Sequence, residues 1–237
     1  MKSTVQFDGV IESGEVLFAR YMRGASALHE LGMRAGDVVA LMLHNEPVVL
    51  ELILATRWIG SRWCMINTHL KSDEVSHILS DSGAKVLIVH GDLLDRIRDG
   101  IPASVPVFVV LPLQATREAH GLDDGCAQHT QGMPTWASFR DSAERPAVEQ
   151  NAPGPPMIYT SGTTGRPKGI RRQTPSSEQV QRSMEACRAV LGIEPGMRGL
   201  ISAPLYHGAP AIYLLQTALH DGHVVIERRF DAHARCS

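Results

Sequence analysis

The sequence predicts an α/β fold in which parallel-type sheets are flanked by helices. Short apolar runs alternate along the chain with segments whose apolar residues recur at helical spacing. Parallel strands need such crossovers, and because helices cover both faces of the sheet, the strands are apolar along their whole length. The chain has 237 residues, of which 43% are hydrophobic and 20% charged. It is long enough for a sizeable core, as one large domain or two small ones.

The first half of the chain supplies the clearest elements. Apolar spacing predicts a helix over Val16 to Leu31 that ends at Gly32. Pro47 is a suitable first residue for a second helix, and Ser72 with two following acids is typical of the start of a third. The remaining predictions for this half are strands at 38–43, 63–66, 85–89 and 105–111, and helices at 48–59 and 72–81.

The pattern fades between about 112 and 152, which predicts an irregular connection. This stretch is rich in Gly, Asp, Gln, His and Pro, and within it only Trp136 to Glu144 is compatible with a short helix. Beyond it, Thr174 and Pro175 indicate the start of a helix with one apolar face, and a further helix is expected over Ala209 to Leu219. Strands are expected at 157–160, 199–202 and 223–226.

Residues 161 to 169 combine several groups that can bind an anion. They contain three glycines, the hydroxyl side chains of Ser161, Thr163 and Thr164, one arginine, and Lys168. Glycines permit positive φ, which lets successive N–H groups converge on one anion, while hydroxyls and a lysine add further donors. Hydrogen bonds to charged groups contribute roughly 1.5–3 kcal/mol each, so a few of them hold a polyphosphate. The composition therefore indicates a phosphate-binding loop.

Two common phosphate motifs do not describe this loop. The P-loop requires a lysine directly after a glycine, whereas here Pro167 precedes Lys168. The dinucleotide fingerprint G-x-G-x-x-G is absent as well. Composition alone leaves open a flexible surface loop with a chance bias toward Gly, Ser and Thr.

The order of residues resolves that choice. The run Y-T-S-G-T-T-G-R-P-K-G at 159 to 169 resembles, position for position, the signature loop of the adenylate-forming superfamily, which includes acyl-CoA synthetases, peptide-synthetase adenylation domains and luciferases. In that family the loop grips the β- and γ-phosphates of ATP while a carboxylate attacks the α-phosphate. The resemblance implies a phosphate-binding role for Thr160, Ser161, Gly162, Thr163, Thr164, Gly165 and Lys168.

Other stretches resemble the same family in the same order. They are 31–47, 58–88 and the run A-P-L-Y-H-G-A-P at 203–210, where the family shapes its acyl pocket. His207 occupies a position at which acyl-CoA synthetases keep an aromatic or histidine side chain beside the substrate carboxylate, which makes it the candidate catalytic residue; as one histidine among eleven it is otherwise a packing or surface residue. Peptide synthetases keep an aspartate nearby, and no acid stands between Ser202 and His220. This favours a fatty or aryl acid without an α-amino group.

Several later elements of the family are not found in these residues. They are the Y-G-x-T-E run, the T-G-D run, the hinge and the small C-terminal lid domain with its catalytic lysine. We therefore expect 1–237 to be a partial AMP-binding domain, the incomplete N-terminal domain of the acyl-CoA synthetase-like fold. A truncated gene product and one fragment of a longer enzyme are equally compatible with this.

Two functions follow from the resemblance. The first is ATP-dependent activation of a carboxylic acid, with ATP, Mg²⁺ and CoA as cofactors. The second is a non-catalytic remnant, or one part of a split enzyme, that binds nucleotide weakly and associates with itself or with a missing C-terminal half. The formal net charge of -2 gives no reason to expect nucleic acid as a partner, and no metal ligand is assigned. Apolar runs too short for a membrane span and four scattered cysteines predict a cytoplasmic protein.

Overall fold

The described residues form two four-stranded sheets and one two-stranded hairpin. The computed structural model describes residues 2–123, 130, 132–144, 148–160, 167–170 and 176–230. The strands are β1 Thr4–Phe7, β2 Val10–Ser13, β3 Val38–Met42, β4 Arg62–Met65, β5 Ala84–His90, β6 Val107–Val110, β7 Ile158–Thr160, β8 Lys168–Ile170, β9 Arg198–Ile201 and β10 His223–Ile226. The helices are α1 Gly14–Glu30, α2 Pro47–Trp58, α3 Ser72–Ser82, α4 Gly91–Ile97, α5 Gln114–His120, α6 Trp136–Ser142, α7 Ser177–Leu191 and α8 Gly208–Leu219.

The first sheet is parallel throughout, with strand order β4-β3-β5-β6. All five residues of β3 are buried, because the strand lies between neighbours and both of its faces are covered. This confirms the parallel sheet expected from the continuous apolar runs. The chain moves from β3 to β4 on one side and returns past β3 to β5 on the other, so the strand order reverses between β3 and β5.

The second sheet joins the two ends of the described chain, with strand order β2-β1-β10-β9. β1 pairs in parallel with β10 and antiparallel with β2. Thr4 Oγ1 lies 2.6 Å from His223 Nδ1 across the β1–β10 pair. Neither β1 nor β2 was expected, because both are short and β1 buries only alternate residues, so neither presents a continuous apolar run.

The helices begin where local chemistry favours it. The side chain of Ser13 caps α1, which starts slightly before the predicted Val16, and Pro47 is the first residue of α2 as expected. α3 starts at Ser72, but Lys71 takes the cap position and its N–H donates to the Glu74 carboxylate at 2.9 Å. The expected start of α7 at Thr174 and Pro175 lies outside the described residues; α7 is described from Ser177, with Ser176 as its cap.

The stretch at about 112–152 is less irregular than expected. It contains α5, which was not predicted, and α6, which occupies most of the one segment judged compatible with a helix. The sequence did not predict α5 because the helix has no apolar stripe: its buried residues are Ala115 and Thr116. In α6, Thr135 caps the helix and Trp136 buries its ring while donating a hydrogen bond to Glu51 at 2.8 Å. Among the described residues no helix combines the length and apolarity that crossing a bilayer requires.

Candidate functional site

The β7–β8 hairpin holds the two described ends of the predicted phosphate loop. The strands pair antiparallel, with Thr160 opposite Lys168 and Tyr159 opposite Gly169. The structure confirms that a strand ends at Thr160, but it corrects the extent of the loop, since Lys168 and Gly169 belong to the returning strand. The pairing brings Lys168 next to Thr160. The other predicted phosphate ligands, Ser161, Gly162, Thr163, Thr164 and Gly165, lie outside the described residues.

Helix α3 fixes the base of this hairpin. The Tyr159 hydroxyl donates to Asp81 Oδ2 at 2.5 Å, and His77 Nε2 donates to the Pro167 carbonyl oxygen at 3.1 Å. His77 and Asp81 are four residues apart, so they lie on successive turns of one helix face. One helix therefore contacts the chain on both sides of the loop. Neither residue stood out in the sequence, because the partners lie far along the chain.

The segment between β9 and α8 places His207 against the same hairpin. His207 is the cap residue of α8, and its N–H donates to the Pro204 carbonyl oxygen at 3.2 Å. A Cβ added to Gly208 would lie 2.7 Å from Ile158 Cδ1 in β7. Because Gly208 has no side chain, the start of α8 packs directly on the strand that leads to Thr160.

A cavity of about 440 Å³ connects these elements. Thr160 and His207 both line it, so the structure brings together the first residue of the phosphate motif and the candidate catalytic histidine. Met65 of β4, Ile78 of α3 and Leu70 of the connection between them supply an apolar wall. Lys168 lies outside the lining residues; its side chain is exposed.

The rings of His207, Tyr206 and His69 contact one another in sequence. The ring centroids of His207 and Tyr206 are 4.6 Å apart, and the Tyr206 ring meets the His69 ring edge to face at 6.2 Å. Burial raises the pKa of the Tyr206 hydroxyl, so this hydroxyl stays protonated at neutral pH. The sequence did not predict His69 as a site residue. Its N–H donates to the side-chain oxygen of Asn67 at 2.9 Å.

A second cavity, of about 500 Å³, contains none of the predicted site residues. It lies among β1, β2, α2 and α6, and its walls are mainly apolar. Its charged groups are already paired: Arg140 contacts Glu51 at 2.9 Å and Arg20 contacts Glu51 at 3.2 Å. In the described chain, no three His, Cys, Asp or Glu side chains converge as a metal site would require. The smaller cavity is therefore the candidate site.

Comparison with known proteins shows which family this chain is similar to. The model of the AMP-binding enzyme family matches residues 5–236. The long-chain-fatty-acid–CoA ligase FadD13 of Mycobacterium tuberculosis is 31% identical over 215 residues, which are 89% of this chain and 38% of that protein. The 2-succinylbenzoate–CoA ligase of Geobacillus sp. (strain WCH70) is 28% identical over 211 residues, or 89% of this chain and 37% of that protein. The chain thus spans about two fifths of these relatives.

A solved structure shows the same fold. The benzoate CoA ligase from Burkholderia xenovorans LB400 superposes with a TM-score of 0.77 at 19% identity, over 99% of this chain and 44% of that one. The observed parallel sheets with flanking helices therefore correspond to the N-terminal part of a CoA ligase fold. Because the family model covers nearly the whole sequence, the chain belongs to the AMP-binding enzyme family.

Proposed function

We propose that this chain supplies the phosphate-binding and carboxylate-binding parts of an AMP-forming carboxylic acid–CoA ligase. The observation that carries the proposal is the single cavity lined by both Thr160 and His207. The relatives named above are CoA ligases, which supports the same reaction class. The domain is, on this proposal, a partial adenylation domain acting in the cytoplasm.

The side chains of the hairpin and the cavity have the following roles on this proposal. The Thr160 hydroxyl donates to a phosphate oxygen of ATP, and Lys168, opposite it in the hairpin, adds a positive charge. His207 orients the carboxylate, and the wall of Met65, Leu70 and Ile78 shields the acid from water. The carboxylate oxygen then bonds to the α-phosphorus as the bond to pyrophosphate breaks. In the second step the CoA thiol displaces AMP from the acyl-adenylate and forms the thioester.

The family resemblance also implies Mg²⁺, but the described residues do not fit a magnesium site. Glu74 is the carboxylate among the residues that line the cavity, and its Oε2 already accepts the Lys71 N–H at 2.9 Å. Magnesium requires near-octahedral oxygen ligands. The described residues therefore offer no set of oxygen ligands for magnesium.

The residues around His207 favour an acid without an α-amino group. Tyr206 and His207 face the cavity, and the sequence from Ala203 to Leu219 contains no carboxylate that would hold a substrate ammonium group. The cavity wall is mostly apolar. On this proposal the substrate is a fatty or aryl acid.

Calorimetry with ATP and with pyrophosphate tests the phosphate end. Lys168→Ala and Thr163→Ala each remove one proposed contact to a charged group, so affinity should fall at least about tenfold in each variant. Lys85→Ala is the matched control, because Lys85 is an exposed lysine paired with Asp37, outside the cavity lining. Unchanged affinity in both loop variants would place the phosphate site elsewhere.

Pyrophosphate release with fatty and aryl acids, ATP, Mg²⁺ and CoA tests the whole reaction. Turnover that is lost in Lys168→Ala supports the ligase. ATP binding without turnover favours the alternative, a non-catalytic chain or one part of a split enzyme. That alternative is kept because the chain spans only 37% and 38% of the two relatives described.

A further inference from the structure

Three consecutive polar side chains are buried directly after β3. His44, Asn45 and Glu46 are 8%, 7% and 2% exposed. Buried polar groups are costly unless they are hydrogen-bonded, and each of these three bonds to a different part of the chain. His44 Nε2 lies 2.8 Å from Asp92 Oδ2, and the Glu46 carboxylate accepts the Leu113 N–H at 2.8 Å. Asn45 instead reaches the last third of the chain.

The Asn45 amide makes three hydrogen bonds to backbone atoms. Its Nδ2 donates to the Ala203 carbonyl oxygen at 3.0 Å and to the Glu227 carbonyl oxygen at 3.1 Å. Its Oδ1 accepts the Leu205 N–H at 2.8 Å. Both donor hydrogens and the acceptor are therefore used. One side chain joins the end of β3 to the segment after β9 and to the residue after β10.

The segment held by Asn45 leads directly into the candidate site. Leu205 is fully buried, and the next two residues, Tyr206 and His207, line the cavity. Pro204 has no N–H, so the Leu205 N–H is the first backbone donor after Ala203. The position of Asn45 thus fixes where the backbone stands immediately before the two aromatic side chains.

We propose that Asn45 is a positioning residue for the carboxylate-binding end of the cavity. It acts through the Ala203–Leu205 backbone on Tyr206 and His207, and this role rests on the proposed ligase function. The geometry requires an amide, because only a group with two donors and an acceptor satisfies two carbonyl oxygens and one N–H. An aspartate of the same size would place a negative oxygen against two carbonyl oxygens, so the segment would move.

The test compares Asn45→Asp with Asn151→Asp. Asn151 is an exposed amide that controls for the change from amide to carboxylate: its Nδ2 is 3.5 Å from the Ile59 carbonyl oxygen, and it is not among the residues that line the cavity. In the full chain, calorimetry measures the affinity for benzoate and for a medium-chain fatty acid, and separately for ATP. We expect Asn45→Asp to weaken acid binding at least about tenfold and to change ATP affinity less than about twofold. Asn151→Asp should change neither.

The imidazole NMR resonances of His207, assigned with His207→Gln, provide a readout that needs no ligand. They should move in Asn45→Asp and stay in place in Asn151→Asp. Unmoved resonances, or an equal loss of acid and ATP affinity, would overturn the positioning role. Resonances that move while the wild-type chain binds none of the acids would instead overturn the ligase proposal and retain the link from Asn45 to His207. If Asn45→Asp shows no cooperative melt, Asn45→Ser, which lacks the amide donors and carries no charge, replaces it in every arm.

Discussion

At the scale of single residues, two glycines set how closely the site elements approach. Gly208 lets α8 meet Ile158, and Gly169 lies under the ring of Tyr159, where an added Cβ would be 2.7 Å from Tyr159 Cζ. Tyr159 also donates the hydrogen bond to Asp81 that ties the hairpin to α3. Displacing its ring would therefore disturb the hairpin as well as the local packing.

We expect Gly169→Ala to lower the free energy of unfolding by about 1–3 kcal/mol, the usual cost of overpacking a tight contact. The affinity of this variant for pyrophosphate should also fall, because the hairpin carries the predicted phosphate loop. Urea melts and calorimetry measure the two effects. The double variant Gly169→Ala/Tyr159→Ala, compared with Tyr159→Ala alone, is the control: with the ring gone, the added methyl group should cost little. A full penalty in the double variant would show that the contact with Tyr159 is not the cause.

Sequence reasoning at this scale singled out residues inside motifs and missed the residues that support them. Thr160 and His207 were singled out because contiguous runs resemble a family, and they do line one cavity. Asn45 lies 158 residues before Ala203, and His77 lies 90 residues before Pro167. A contact of such range leaves no local spacing or periodicity in the sequence, so only the folded chain reveals it.

At the scale of elements, α3 both covers the first sheet and holds the hairpin. Its buried residues Val75, Ile78 and Leu79 pack in the core, while His77 and Asp81 bond to the hairpin. We expect His77→Ala to speed amide hydrogen exchange at Tyr159 and Gly169 and to weaken pyrophosphate binding several-fold. Lys71→Ala, at the start of the same helix, is the control. Exchange that quickens equally across all of α3 would indicate a loosened helix and contradict a specific clamp.

A second element-scale feature is the pair of crossed histidine–carboxylate contacts where β3 and β5 end. His44 contacts Asp92 at 2.8 Å, and His90 Nε2 lies 3.4 Å from Glu46. Burial alone would raise the pKa of both carboxyl groups, but the contacts with the two histidines, together with the Leu113 N–H that Glu46 accepts, outweigh it and hold each pKa below its usual range. Burial, together with the charge of His44, lowers the pKa of His120 nearby.

All three shifts make the fold less stable in acid. A group whose pKa is lower in the folded than in the unfolded state stabilises the fold above its unfolded pKa, and this stabilisation is lost as the pH falls through the folded value. The loss should begin below about pH 6.5 through His120 and continue below the ordinary carboxyl pKa of about 4 through Glu46 and Asp92. Urea melts from pH 8 down to about pH 2 cover both stages, the one through His120 and the one through the two carboxylates.

Asp92→Asn separates this effect from general acid unfolding. The variant should lose about 1.5–3 kcal/mol at neutral pH, the usual worth of a hydrogen bond to a charged group, and its stability should fall less steeply with acid. Asp95→Asn is the matched control on the same helix, because Asp95 forms an exposed contact with Arg98, and exposed pairs contribute at most about 1 kcal/mol. Equal acid sensitivity in wild type and Asp92→Asn would remove Asp92 from the explanation.

At the scale of the whole molecule, the sequence predicted one of the two larger sheets far better than the other. The strands of the parallel sheet β4-β3-β5-β6 are covered on both faces and so read as apolar runs. The other sheet depends on pairing between the first and last parts of the described chain, where Thr4 meets His223. Such pairing is set by tertiary contacts. The short strands β1 and β2 have too few apolar residues for the sequence to predict them as strands.

The second sheet also exposes apolar side chains along its terminal strand. Val10 and Ile11 of β2 are 71% and 60% exposed, and β2 pairs only with β1 among the described residues. A strand edge with apolar side chains favours pairing with another chain. Val190 of α7 is 81% exposed but lies on a helix, which presents no open strand edge.

We therefore expect the isolated chain to self-associate as its concentration rises, with β2 as the contact. Ile11→Lys should reduce the association measured by light scattering, because a charged edge residue opposes strand pairing. Val190→Lys is the control for a general gain in solubility: it adds the same charge away from the strand edge and should reduce association less. A wild-type chain that stays monomeric at high concentration would contradict the prediction and indicate a self-sufficient domain. If both variants reduced association equally, the cause would be non-specific contact between apolar surfaces, because a substitution in α7 does not affect pairing at the edge of β2.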